Sequence, residues 1–318
     1  MQHLVPAGQR RSTEELFDRL DLSVGDRRAK RSAFWIMLTL SGVIAVSGVA
    51  GDSTATVIGA MIVAPLSVPI LGIGLGIATG SGALIRRSLI LVTAGVAVVV
   101  TLGFLFAQVL PNPVDVLANS QVLGRTSPKL MDLTAALATG LVGAVAITRR
   151  DVGDVLPGVA IAISLVPPLG VVGVCLGSDA PGLALGAFVL FASNVLALVV
   201  TSTGVLVLAG YAERTEAGRG RAYLVLAATL LVVAIPLVLN SLSTLWAGQI
   251  ADAADVWLDD TDGAQVTGVT VDGHTATISV LGPQQLPDTA ALRRAVIDLV
   301  PWDPQVVIVH TVGSRTSR

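Results

Sequence analysis

Two related segments decide the fold of this chain, and they read Val57-Ile-Gly-Ala-Met-Ile-Val-Ala-Pro-Leu-Ser-Val-Pro69 and Leu156-Pro-Gly-Val-Ala-Ile-Ala-Ile-Ser-Leu-Val-Pro-Pro168. They align when the sequence is shifted by about 99 residues, which places Pro69 over Pro168. Both segments are apolar and contain prolines, which lack an amide hydrogen and interrupt a regular helix. The sequence therefore contains two copies of a broken apolar segment.

The composition indicates that these segments belong to a polytopic membrane protein. Of the 318 residues, 53% are hydrophobic and 13% are charged, whereas soluble proteins contain about 25% charged residues. A membrane-spanning helix needs about 20 apolar residues, and seven runs qualify: 33–50, 56–80, 88–110, 131–148, 152–176, 182–211 and 222–240. The net charge of -2 excludes a nucleic-acid partner. The chain has a single cysteine, Cys175, and its three histidines lie outside the apolar runs. We therefore expect no metal, no cofactor and no catalytic residue.

The repeat extends beyond the two segments. The same shift places Asp52 on Asp151, and a shift of 98 places Ser41-Gly42 on Thr139-Gly140. Each copy has three crossings, an odd number, so the second copy enters the membrane from the opposite side. We therefore expect an α-helical polytopic membrane protein with seven transmembrane segments, built as a 3+3 inverted repeat plus one helix.

Basic residues predict the orientation of the chain in the plasma (inner) membrane. With the N-terminus in the cytoplasm, seven crossings place fourteen Lys and Arg inside and two in the outer loops, which agrees with the positive-inside rule. The C-terminus is then extracytoplasmic. In the alternative topology, runs two and five are re-entrant hairpins, and Arg86 and Arg87 lie on the outer face.

The paired breaks are the predicted binding site. Broken helices near the middle of the membrane, paired across a repeat, commonly hold the transported solute. The residues that interrupt the helices are Pro65, Pro69, Pro167 and Pro168, and the candidate ligands are Ser67, Ser164, Ser193 and Asn194. Such groups and freed carbonyls can bind Na⁺, while helix N-termini can bind an anion. In the alternative interpretation the prolines only kink two packed helices.

Small residues predict close helix contacts. Gly72, Gly76 and Gly80 follow the small-xxx-small spacing, and Gly59 and Gly158 align in the repeat. These contacts lie within one chain or between copies, and the second possibility predicts a homo-oligomer in the lipid bilayer.

Four motifs in order resemble a prokaryotic hydrophobic membrane family, the domain of unknown function 389. They are Ile58-Gly-Ala-Met-Ile-Val-Ala-Pro-Leu66, Arg125-Thr-Ser-Pro128 followed by Asp132, Pro157 to Pro168, and Ser193-Asn194, and the similarity covers about residues 34–211. The resemblance implies a membrane fold without an established activity. It also directs attention to Arg125 and Asp132, which form either an outer gate ion pair or a solvated loop pair. One departure is Asp52-Ser53, where family members commonly have Asn-Ser.

The ends of the chain form separate regions. Residues 1–32 are a cytoplasmic segment, where Ser12-Thr-Glu-Glu15 caps an amphipathic helix that we expect on the membrane surface or on a partner subunit. The transmembrane domain covers 33–240, with repeats at about 33–110 and 131–211 and an extra helix at 222–240. Residues 241–318 follow an α-β-β-α-β pattern, which predicts a small acidic α+β domain.

Three functions fit these features, none of them enzymatic. The repeated break favours a secondary transporter or facilitator of a small solute or ion. A scaffold or sensor would act through its C-terminal domain and use the core only as an anchor. A channel is the third possibility, because uncharged breaks and a glycine-rich face also suit a pore.

Overall fold

A computed structural model describes residues 7–109, 117–152, 165–212, 216–259, 261, 263–272 and 275–313. The helices of these residues are α1 Thr13–Leu20, α2 Arg27–Ala50, α3 Thr54–Val63, α4 Ser67–Thr79, α5 Gly82–Ala107, α6 Ser120–Thr126, α7 Leu130–Thr148, α8 Val166–Gly177, α9 Pro181–Leu208, α10 Glu216–Leu258 and α11 Thr289–Leu299. The strands are β1 Gln265–Asp272, β2 Thr275–Gly282 and β3 Gln305–Val312. The chain divides into two compact units, 1–237 and 238–318.

The first unit contains the helices of a multi-pass membrane protein. In the described residues, α2, α5, α7 and α9 are long and apolar enough to cross a bilayer, and α3 with α4 forms a fifth candidate that is bent by 48°. Large apolar side chains point outward from α2, α5 and α9, as at Leu40, Ile90 and Leu185, a pattern that suits lipid contact. The predicted span at 152–176 is described only from residue 165, where the apolar helix α8 follows. The predicted span at 222–240 lies within α10.

Two short helices, α4 and α8, form the centre of this unit. Helix α4 packs against α5 and α9, and α8 packs against the same two helices and also against α2. Almost every residue of α8 is buried, whereas an amphipathic helix on a protein surface would bury only one side. The long helices therefore surround α4 and α8.

The N-terminal helix α1 packs its apolar face against the rest of the chain. Its predicted capping box is present, because Ser12 Oγ accepts a hydrogen bond from the Glu15 amide and the Glu15 carboxylate accepts one from the Ser12 amide. Leu16 and Leu20 are buried and contribute to the core around α4. The buried face of α1 is therefore covered by α4 of the same chain, and its expected position on the membrane surface or on a partner stays a prediction.

The second unit is a small α+β structure, as predicted. Its sheet has the strand order β1-β2-β3. Strand β1 pairs with β2 in the antiparallel direction, and β2 pairs with β3 in the parallel direction. Buried side chains alternate along β2 and pack against Ile250 and Ala254 of α10 and against Leu292 and Val296 of α11. Alternation with a period of two is what a sheet with one covered face requires.

Candidate functional site

The predicted break of the second span is present between α3 and α4. Helix α3 ends at Val63, Ala64 has an extended backbone, and α4 begins at Ser67. Pro65 lies in the break itself, whereas Pro69 lies in the first turn of α4, where its missing amide costs little. Leu66 is fully buried, so the broken backbone lies in the protein interior.

The break changes the hydrogen bonding of the last turn of α3. Pro65 has no amide to donate to the Met61 carbonyl, which lies four residues earlier. The next carbonyl toward the N-terminus, that of Ala60, accepts from the Ala64 amide at 3.2 Å and from the buried Ser41 hydroxyl of α2 at 2.8 Å. Sequence reasoning used Ser41 only to align the repeat and missed this contact. A hydroxyl in an apolar run was the available signal.

The N-termini of α4 and α8 provide few free amides. At α4, the Val68 amide donates to the Pro65 carbonyl and the Ile70 amide donates to the Leu66 carbonyl. At α8, the second and third residues are Pro167 and Pro168, which have no amide hydrogen. Because anion binding at a helix N-terminus depends on free amides, these ends favour a site of carbonyls and hydroxyls.

The structure brings the start of α8 into the same apolar core as the α3–α4 break. Leu66 and Ile70 of the first segment and Leu165, Val166 and Leu169 of the second all belong to one buried cluster. Ser164 and Gly158 were also predicted here, but they lie outside the described residues.

The other predicted ligands differ in how their polar groups are used. Ser193 is buried, and its hydroxyl donates to the Leu190 carbonyl of its own helix at 2.9 Å. Asn194 is also buried, while Ser67 is half-buried at the first residue of α4. Ser193 therefore has an internal partner, and half-buried Ser67 is the better candidate for a solute.

The predicted packing glycines have three different roles. A Cβ on Gly72 would lie 2.8 Å from Ser88 Oγ, and one on Gly76 would lie 2.6 Å from the Ile85 side chain, so both allow close packing on α5. Gly80 is instead the left-handed C-cap of α4, with φ 71°. A Cβ on Gly59 would meet nothing within 4 Å among the described residues, so a close-packing role for Gly59 stays a prediction. Homo-oligomerisation stays a prediction, because Gly72 and Gly76 are used inside the chain.

Further close helix contacts, which reach the backbone of the neighbouring helix, occur at positions that sequence reasoning did not select. A Cβ on Gly173 of α8 would lie 2.8 Å from Gly103 Cα of α5 and 2.8 Å from the Phe104 nitrogen. A Cβ on Gly74 of α4 would meet Ser202 of α9 and lie 3.3 Å from the Thr203 nitrogen. The two contacts are equivalent under the 99-residue shift, which places residues 74, 103 and 104 on 173, 202 and 203.

A second pair of contacts has the same relation. The nearest neighbours of a Cβ on Gly42 of α2 are Leu102 and Val99 of α5, and those of a Cβ on Gly140 of α7 include Thr201 and Leu198 of α9. Leu102 and Val99 fall on Thr201 and Leu198 under the 99-residue shift, and Gly42 falls on Gly140 under the shift of 98. Isolated glycines gave no spacing signal, so only the repeat could have indicated these contacts.

Comparison with known proteins identifies a family for the central part of this unit. Residues 61–200 match the family model described as "Domain of unknown function (DUF389)". The chain has a DUF389 domain. It is 31% identical over 163 residues to "Uncharacterized protein MJ0678" of Methanocaldococcus jannaschii, an alignment that covers 51% of this chain and 50% of that protein. The chain therefore aligns with about half the length of this curated relative. No solved structure matches the present chain.

Within the DUF389 domain, Arg125 and Asp132 do not form the predicted ion pair. Arg125 Nη1 donates to the carbonyl and side-chain oxygens of Gln121 at 2.7 and 3.0 Å. Asp132 Oδ2 accepts from the Lys129 amide at 2.7 Å, at the N-terminus of α7. Arg125 Nη1 and the Asp132 carboxylate are therefore bonded to residues near them in the sequence. Burial lowers the pKa of Arg125, and its Nε is buried without a hydrogen-bond partner.

The polar contacts at the ends of the helices of the first unit fall into two groups. In the first group, the N-terminal segment contacts the basic turns: Arg87 with Asp21, Arg150 with Glu15, the Arg11 side chain with the Arg149 carbonyl, and the Tyr211 hydroxyl with the Arg11 carbonyl. In the second group, the 49–54 turn and α8 contact the segments around α6: Asn119 with the Val49 carbonyl, Ser120 with Asp52, and Gln108 with the Gly177 carbonyl.

Two aspartates in these groups have lowered pKa values. Burial raises the pKa of Asp21, but hydrogen bonds from Ser23 and Arg87 outweigh it and hold that pKa below its ordinary value. The Ser120 hydroxyl, 2.7 Å from Asp52 Oδ1, lowers the pKa of Asp52, and the Gln121 amide adds to the effect. Asp52 therefore acts as a charged acceptor at the position where the resemblance predicts an amide.

Proposed function

We propose that this protein is a secondary transporter or facilitator of a small solute or ion, with its site at the two proline-broken segments. The observation that supports this most is the burial of the α3–α4 break and the start of α8 in one core. Irregular backbone is tolerated at membrane depth only against protein or a water-lined cavity. Because the Val68 and Ile70 amides are bonded and Pro69, Pro167 and Pro168 have no amide hydrogen, we propose that the solute is a small cation bound by carbonyls and hydroxyls.

We also propose that the membrane domain is a 3+3 inverted repeat, with α10 providing the seventh crossing. Helix starts support the repeat, since α4 and α8 begin at Ser67 and Val166, and α5 and α9 begin at Gly82 and Pro181. Each pair is 99 residues apart. Gly80 and Asp179, which have the same separation, both have a positive φ, at 71° and 54°. The two pairs of equivalent glycine contacts add support from the packing.

We propose a cytoplasmic N-terminus and an extracytoplasmic C-terminal unit. The contacts of the N-terminal segment with residues 87, 149, 150 and 211 support this, because the predicted topology places all of these basic segments on one side. Re-entrant hairpins would separate Arg87 from Asp21, yet the two are 3.2 Å apart.

Cysteine accessibility tests the site. In a Cys175→Ala background, Ser67→Cys should react with a small cationic methanethiosulfonate reagent added to protein in liposomes. The matched control is Ala45→Cys, because Ala45 is fully buried in the same core and is distant in sequence from either break. Na⁺ or K⁺ should slow the reaction of Ser67→Cys if the cation occupies the site.

Two results would contradict this proposal. If Ser67→Cys is as unreactive as Ala45→Cys, no aqueous cavity reaches the break. If it reacts at the same rate with Na⁺, with K⁺ and with a large organic cation, the break does not bind a small metal cation.

A further inference from the structure

An open cleft of about 240 Å³ lies between the N-terminal halves of α2 and α5, apart from the proposed transport site. Its walls are formed by Arg31 and Trp35 of α2 and by Arg87, Ile90 and Leu91 of α5. Two guanidinium groups and three large apolar side chains thus share one cleft, and no carboxylate is among the lining residues. None of these side chains belongs to the proposed transport site.

The two arginines differ in how far they are already satisfied. Arg87 Nη1 donates to Asp21 Oδ2 at 3.2 Å and to the Ser23 hydroxyl at 2.7 Å, which holds its guanidinium in place. Arg31 Nε is buried without a hydrogen-bond partner, and Arg31 forms no ion pair with a carboxylate of the described residues. Because Arg31 lines the cleft without a carboxylate partner among the described residues, an anion in the cleft would balance the charge of its guanidinium.

The order of side chains along the two helices indicates which anion fits. Trp35 follows Arg31 by four residues, and Ile90 and Leu91 follow Arg87 by three and four, which places each apolar group roughly 5 to 6 Å further along its helix. Both helices therefore present a charge near the membrane edge and an apolar wall deeper in the membrane. Ile90 is 60% exposed, so the apolar wall is open to lipid. A phospholipid has its phosphate and acyl chain in this same order.

We propose that this cleft binds the headgroup of an anionic glycerophospholipid, with the phosphate between Arg31 and Arg87 and an acyl chain along Trp35, Ile90 and Leu91. A net negative headgroup is favoured over a zwitterionic one, because no acidic side chain lines the cleft to pair with a choline or ethanolamine cation. The positive-inside count places the site in the cytoplasmic leaflet.

Lipid binding to the full-length protein tests the proposal. Purified protein is titrated with phosphatidylglycerol or phosphatidylcholine in detergent, and binding is measured by native mass spectrometry. We expect several-fold tighter binding of phosphatidylglycerol, and we expect Arg31→Gln to weaken it about fivefold, the effect of one basic residue near a lipid surface. The matched control is Arg28→Gln, which removes the same charge from an exposed position of α2 that does not line the cleft. The control should change binding less than twofold.

Four results would overturn the proposal. Equal binding of the two lipids would show that the site does not select a negative headgroup. Equal losses in Arg28→Gln and Arg31→Gln would show a diffuse surface attraction without a defined cleft. Displacement of phosphatidylglycerol by millimolar inorganic phosphate would identify the ligand as a free anion. If Arg31→Gln lowers the melting temperature, Ile90→Asn provides a second variant, and unchanged lipid binding by that variant would contradict a role for the apolar wall.

Discussion

Single glycines determine how closely the central helices approach the long helices. Gly173 allows α8 to contact the backbone of α5, and Gly74 allows α4 to contact α9. Ser41 has a different role, because its hydroxyl donates a hydrogen bond to the Ala60 carbonyl near the end of α3. A side chain larger than hydrogen at residue 173 therefore changes the distance between two helices.

We predict that Gly173→Ala destabilises the protein by about 1 to 3 kcal/mol, the usual cost of overpacking a core. The added methyl group would lie 2.8 Å from atoms of the α5 backbone, which cannot move independently. Gly59→Ala is the matched control, because its methyl group would meet nothing within 4 Å and alanine favours the helix by roughly 0.5 to 1 kcal/mol. Thermal unfolding in detergent measures both. Equal melting temperatures for the two variants would contradict the packing described here.

At the scale of elements, the docking of α1 on α4 depends on charge as well as on apolar contacts. Leu16 and Leu20 are buried, and Asp21, at the end of α1, pairs with Arg87 of α5. The pKa of Asp21 lies below its ordinary value of 3.8. A depressed carboxyl pKa stabilises the folded state above the unfolded pKa, and this contribution is lost as the pH falls through the folded pKa.

We therefore predict that the docking of α1 is constant from pH 8 to about pH 4 and weakens below that, as Asp21 becomes protonated. Asp21→Asn should weaken docking at pH 7 and reduce the change below pH 4. The remaining change is expected from Glu15 of α1, whose pKa is lowered by the hydrogen bond from the Ser12 amide and by Arg150. Hydrogen exchange of residues 13–20, corrected for the intrinsic pH dependence of exchange, measures both effects. Exposed Asp18→Asn is a suitable control, because its Lys30 partner lies at the surface. The same acid response in Asp21→Asn as in the parent protein would contradict this explanation.

The sequence predicts elements better than it predicts contacts between them. Apolar runs, prolines and the capping box located the helices, the α3–α4 break and α1, because these signals are local. The partners of Ser41, Arg125 and Gly173 depend on how distant helices pack, and no local pattern contains that information. Arg125 shows this, because the motif suggested Asp132, whereas Gln121, one turn earlier on the same helix, is its actual partner.

At the scale of the whole membrane domain, the proposed pairing of the two broken segments requires that the two copies have opposite orientations. Helix starts, left-handed turns and glycine contacts all follow the same shift of 99 residues. If runs two and five cross the membrane fully, equivalent turns lie on opposite sides. If both runs are re-entrant, equivalent turns lie on the same side.

The most direct test compares two equivalent exposed positions, Ala83 and Gly182, which lie near the starts of α5 and α9. Each is changed to cysteine in a Cys175→Ala background, and intact cells are treated with a membrane-impermeant thiol reagent. The inverted repeat predicts that Gly182→Cys reacts in intact cells, whereas Ala83→Cys reacts only after permeabilisation. Reaction of both cysteines from the same side would contradict the inverted topology and, with it, the pairing of the two broken segments.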